Sequence, residues 1–113
     1  MSGLGIAIGI SNIVVALIGW ALAIPLLRGR VKMNRLYGVR FKRSFESDEL
    51  WYAINRYGAR RLIVWSIALA IVGIVTPFVV HEGRETMAVL LALAPAVFYG
   101  IACFESYRFA KRI

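Results

Sequence analysis

Acidic residues are few in this sequence, histidine and cysteine occur once each, and three long stretches carry no charge at all. One His and one Cys, far apart, do not make a metal-ligand set, so no metal site is read. A single cysteine, Cys103, excludes an intrachain disulfide, and its apolar neighbours mark it as a small packed hydrophobe. No Ser/Pro-rich linker, low-complexity tract or internal repeat divides the chain, so residues 1–113 read as one domain.

Catalytic chemistry finds little footing. The early glycines have the wrong spacing for a nucleotide-binding loop and no strand precedes them, so no cofactor is implied. His81-Glu82 lacks the second His four residues on that a zinc protease helix requires. Asp48 and Glu49 fit the start of a helix, where negative charge is favoured, better than an acid/base couple. Glu105 has Arg108 three residues on, a spacing that favours an ion pair at a helix end. No nucleophile–base arrangement and no small-molecule substrate can be identified. The chain reads as a non-enzyme without catalytic residues.

What the chain does have is apolar length and positive charge. It is 60% hydrophobic and 18% charged, whereas soluble domains run near 45–50% and about 25%. Fourteen Lys and Arg against six Asp and Glu give a net charge of +8. Ten of those fourteen (Arg28, Arg30, Lys32, Arg35, Arg40, Lys42, Arg43, Arg56, Arg60 and Arg61) lie between two apolar segments. Three more close the chain. This asymmetry follows the positive-inside rule of membrane proteins and points to a lipid surface, with no nucleic-acid partner.

Crossing a bilayer takes about 20 apolar residues in a helix. Residues 3–27, 62–80 and 86–104 are free of charge and supply three spans. The first is expected to be a retained span, not a cleaved leader. No Lys or Arg precedes it, and a basic cluster follows it directly. The loop 28–61 and the C-terminus are expected on the cytoplasmic side, with the N-terminus and the 81–85 turn outside. Pro77 and Pro95 lie within spans and should free the carbonyls of Gly73 and Leu91. Gly5, Gly9 and Gly19 put small residues on one face of the first span for close helix packing. Asn12, costly if unpaired in lipid, should bond to another helix.

The loop holds the most specific pattern. Ser47 can cap a helix in which Trp51, Ile54, Asn55, Gly58 and Leu62 share one face, opposite Glu49, Arg56 and Arg60. This predicts a cytoplasmic amphipathic helix lying at the interface between spans 1 and 2, with Trp51, Tyr52 and Tyr57 in the headgroup layer and a bend near Gly58. The expected fold class is thus an all-α membrane protein of three transmembrane helices plus that interfacial helix. Upstream, Tyr37-Gly38 reads as a tight turn, and Asn34, Arg40 and Asn55 can satisfy loop backbone or grip lipid phosphates. Two uses remain open: a folded collar that ties the loop down, or a docking surface for another molecule.

Ile24-Pro25-Leu26, then Asn34-Arg35-x-Tyr37-Gly38-x-Arg40, Ser44, Asp48, Trp51-Tyr52, Asn55-Arg56 and Gly58, resembles the signature of the SdpI family of small bacterial integral membrane proteins. The likeness is to the C-terminal part of the family's founding immunity protein. It implies a multi-pass protein of the bacterial plasma (inner) membrane, without cofactor. It also implies two activities: immunity to a secreted toxin peptide, and membrane recruitment of a cytoplasmic regulator in a signalling role. The alternative is a small structural accessory subunit that packs against a larger membrane complex.

Overall fold

The computed structural model describes residues 2–81 and 83–113. Helix α1 spans Gly3–Leu27, a 3-10 turn covers Lys42–Phe45, and α2 spans Asp48–Val79. Helices α3, Glu85–Ala92, and α4, Ala94–Arg112, follow. No strand forms among the described residues. α3 and α4 are one span interrupted at Leu93, so three helical segments are long and apolar enough to cross a membrane.

Helix α2 is the centre of the bundle and packs against both α1 and α4. Along α1, Gly5, Gly9, Ala16, Gly19 and Ala23 are buried in the seam against α2, and Asn12, buried beside them, bonds to α3. The glycines there are needed for close approach. A Cβ on Gly9 would stand 2.6 Å from the Gly73 carbonyl oxygen, and one on Gly73 would stand 2.8 Å from that of Gly9. Gly73 is the residue whose carbonyl Pro77 frees, so the two backbones meet where α2 lacks a helical donor. At Gly5 a Cβ would press on Val80 at 3.1 Å. At Gly19 it would come within 2.8 Å of the Ser66 hydroxyl, which pairs with the Tyr99 hydroxyl at 3.0 Å.

The break at Leu93 follows from Pro95, in the first turn of α4. The carbonyl freed by that proline, on Leu91, accepts a hydrogen bond from the Asn12 side-chain amide at 3.1 Å. Two expectations drawn separately from the sequence, an orphan carbonyl on the third span and an amide on the first in need of a partner, resolve into one contact.

The separate interfacial helix is not found among the described residues, which corrects the expectation. Residues 48–61 are the first turns of the 32-residue α2 and run straight into the second span. Gly58 is a packing point where a bend was expected: a Cβ there would meet Val39 Cγ2 at 2.6 Å and Ser106 Oγ at 3.3 Å. The face bearing Trp51, Ile54 and Asn55 is buried under the loop, so its apolar character serves protein packing instead of lipid contact. Trp51 itself is completely buried, not in the headgroup layer. Tyr57 stacks on Phe109 of α4 at 4.1 Å between ring centroids.

At 1.5 Å per residue, α2 is about 48 Å long against a hydrocarbon core of about 30 Å. All of its charges lie between Asp48 and Arg61. Its N-terminal third therefore stands clear of the hydrocarbon, and the 28–47 segment wraps this stump.

Candidate functional site

The wrapped end of the bundle is built by backbone groups finding partners. α1 stops in a Schellman arrangement: Gly29 takes φ +67, the Arg30 amide donates to the Pro25 carbonyl at 3.0 Å, and the Gly29 amide to Leu26 at 3.3 Å. The chain then turns at Asn34. Its side-chain oxygen accepts from the amides of Leu36, at 2.9 Å, and Tyr37, at 2.7 Å, while its nitrogen donates to the Lys32 carbonyl at 2.7 Å. Tyr37 reaches back to α1 and donates its hydroxyl to the Leu22 carbonyl. Burial there holds the phenol above its ordinary pKa of 10.0.

Asn55 closes the wrap onto α2. Its oxygen accepts from the Val39 amide at 2.6 Å, and its nitrogen donates to the carbonyls of Trp51, at 2.8 Å, and Val39, at 3.3 Å. A side-chain amide thus pairs with both backbone groups of one loop residue, as a neighbouring strand would. The Trp51 indole donates to the Val31 carbonyl at 2.9 Å. Between them sits Gly38, at φ +123, where a Cβ would lie 2.7 Å from the Asn55 oxygen and 3.0 Å from the Trp51 ring. Only glycine fits that position in both shape and backbone angle. Arg40 donates to the Arg35 carbonyl and is otherwise exposed.

The structure therefore brings Asn34, Tyr37, Gly38, Arg40, Trp51, Asn55 and Gly58 into one connected collar. Gly5, Gly9, Asn12 and Gly19 lie apart from it, on the α1 seam. The collar also uses residues to which sequence reasoning gave no role. Val31 and Val39 are gripped through their backbone groups, which leave no trace in side-chain pattern. Ser44, fully buried, accepts from the Phe41 amide at 3.2 Å and closes the 3-10 turn. Its place within the spaced signature was the available signal. Arg43 ties the wrap to the end of α4 through the Ile113 carbonyl and also pairs with Glu46.

Two further expectations need correction. Glu105 pairs across to α2, with Arg61 at 2.9 Å and the Trp65 indole at 2.7 Å, and not with Arg108. Arg108 instead lies over the Phe104 ring, 5.9 Å from its centroid. Cys103 is exposed on α4, not packed in the core. Of the pair His81-Glu82, the glutamate lies outside the described residues.

Outside the collar the surface is basic: Arg28, Arg30, Lys32, Arg35, Arg40, Lys42, Arg56 and Arg60 are all exposed. Two grooves adjoin it. One, of ≈ 910 Å³, is lined by Met33, Asn34, Arg35, Arg40 and Phe45. The other, of ≈ 320 Å³, runs between the Gly38–Phe41 stretch, α2 and α4.

Among known proteins, the model of the SdpI/YfhL protein family matches residues 30–103, which takes in the collar, α2, α3 and half of α4. No curated protein and no solved structure matches the chain.

Proposed function

Since the chain belongs to the SdpI/YfhL protein family and has three helices able to cross a bilayer, we propose that it is a non-enzymatic membrane protein that holds a cytoplasmic regulatory protein at the bacterial plasma membrane. The collar is the docking surface and faces the cytoplasm, with the N-terminus outside. One observation carries this reading. The basic side chains stand on a backbone tied down at Asn34, Tyr37, Trp51 and Asn55, so the surface is presented in fixed form. A mere topology signal needs positive charge but no such scaffold. Of the two activities implied by the family resemblance, recruitment has the support of this surface. Immunity to a secreted peptide has the support of family membership.

The test uses charges that the scaffold does not employ. Arg30, Lys32 and Lys42 are exposed and make no side-chain hydrogen bond or ion pair among the described residues. Replacing all three with Gln leaves seven of the ten basic residues in the loop, enough to keep the orientation. Partners recovered from native membranes should fall away in this variant and, for the wild type, with added salt, because exposed charges are screened beyond about 8–10 Å. An unchanged partner set at every salt concentration overturns recruitment.

A second reading, the accessory subunit, has an observation of its own. Ala92, Ala96, Gly100 and Cys103 are exposed along one side of the third span, and a Cβ on Gly100 would meet nothing within 4 Å. Such a strip suits close packing against a foreign helix. On that reading Gly100→Leu strips the partner, while the triple Gln variant keeps it.

A further inference from the structure

Arg40 lines both grooves at the collar, and the two differ in chemistry. The larger, with Asn34 and Arg35, opens at the basic surface. The smaller is bounded by Val39, Phe41, Leu62, Tyr99, Ala102 and Cys103 and is largely apolar. Gly58, Ala102 and Ser106 present little or no side chain there, which leaves a slot between the loop, α2 and α4. Leu62 begins the uncharged stretch of α2, and Tyr99 lies in the uncharged part of the third span. The slot therefore runs from headgroup level into the hydrocarbon.

We infer that these grooves form a binding site for one anionic glycerophospholipid, with its phosphate on Arg40 and an acyl chain in the slot between α2 and α4. The argument is independent of the recruitment reading. An apolar slot at hydrocarbon depth does not fill with water, and no protein segment among the described residues occupies it. Arg40 spends one N–H on the Arg35 carbonyl. A guanidinium has five, in a fork that suits phosphate oxygens. Among the described residues no acidic side chain lines either groove, and Glu46, close by in sequence, is already paired with Arg43. The occupant that matches a cation at the mouth and an apolar slot below is an amphiphile of negative charge. A zwitterionic lipid brings its own cation to Arg40 and is disfavoured.

Cys103 is the chain's one thiol and lines the slot, so it serves as a native probe. The full chain, purified in a neutral maltoside detergent, is titrated with dioleoylphosphatidylglycerol or dioleoylphosphatidylcholine. Native mass spectrometry counts bound lipid, and maleimide alkylation reports access to Cys103. Phosphatidylglycerol should add as a single adduct and slow alkylation at a concentration about tenfold below phosphatidylcholine, the factor expected of one charge-assisted contact. Arg40→Gln should abolish that preference, and Arg40→Lys should retain much of it, which also shows that the collar tolerates change there. Arg60→Gln removes the same charge from a residue lining neither groove and should leave the preference intact. Cys103→Phe fills the slot and should lower the mass-spectrometric adduct of both lipids. Equal retention of the two lipids by the wild type overturns the inference. So does a preference that survives Arg40→Gln, or a lipid adduct that leaves Cys103 fully reactive. A Cys103 disulfide between two copies that blocks alkylation where no lipid binds would assign the slot to protein contact and overturn it too.

Discussion

Replacing Asn55 with Ala removes the side chain that holds the loop to α2, and its cost can be worked from the contacts. The Val39 amide loses its 2.6 Å acceptor and the Val39 carbonyl its 3.3 Å donor. The Trp51 carbonyl stays within the α-helical ladder and loses only an extra donor. A stranded amide costs about 1–3 kcal/mol and a long hydrogen bond about 0.5–1 kcal/mol. Val39 is half-buried, so water recovers part of this. A net cost of about 2–3 kcal/mol means the open loop becomes roughly 30 to 150 times more populated. Trypsin reads that population directly, because the 28–43 stretch is rich in Lys and Arg and cleavage follows the open fraction when reclosing is fast. The assay compares initial cleavage rates in detergent micelles for wild type, Asn55→Ala and Arg60→Ala. Arg60 is exposed on the opposite face of α2 and should change the rate little. Cleavage of Asn55→Ala no faster than that of Arg60→Ala would refute the reasoning.

Gly9→Leu should disrupt the α1–α2 crossing at the Gly73 carbonyl and cost about 1–3 kcal/mol, whereas Gly100→Ala meets open space and should be neutral in the isolated protein; thermal inactivation in detergent compares them. The Tyr37 phenol is raised on folding, so its contribution to collar stability is fully present below pH 10.0 and is lost as pH climbs through the higher folded value. Tyrosinate absorbance should therefore include a late-titrating component that Tyr37→Phe removes. In a Cys103→Ala background, Gly83→Cys should react with an impermeant thiol reagent added outside sealed cells and Lys42→Cys should not; equal labelling of both overturns the proposed orientation.

The spans were legible because charge-free length is a property of the sequence itself. So was the buried face of α2, since Trp51, Ile54, Asn55 and Gly58 recur at helical spacing. What covers that face was not legible. Periodicity reports that one side of residues 48–61 is apolar, but a loop folded back and a lipid surface demand the same pattern, and the interfacial helix was the wrong choice between them. Glu105 shows the same limit in another form. Its near neighbour Arg108 is visible in sequence, while Arg61 becomes its partner only once α2 and α4 lie side by side. The collar residues were recognisable through their spacing and family resemblance, yet the Val39 backbone they grip carries no side-chain signal. The Asn12 amide and the Leu91 carbonyl freed by Pro95 are each legible as groups in need of a partner, and only the packing of the first span against the third shows that they complete one another.

The unbroken α2 makes the collar mechanically continuous with the middle span. With no hinge at Gly58, the stump acts as a rigid lever of about 18 Å, the excess of helix length over hydrocarbon thickness. Helices in a bilayer that is too thin for them tilt. A tilt of roughly 10° about the hydrocarbon boundary would swing the outer end of this lever by about 3 Å, close to the width of a hydrogen bond. On the proposed topology, a thinner bilayer that increased the tilt of α2 would displace the whole basic surface, with the loop carried along as a passenger on the helix it encloses.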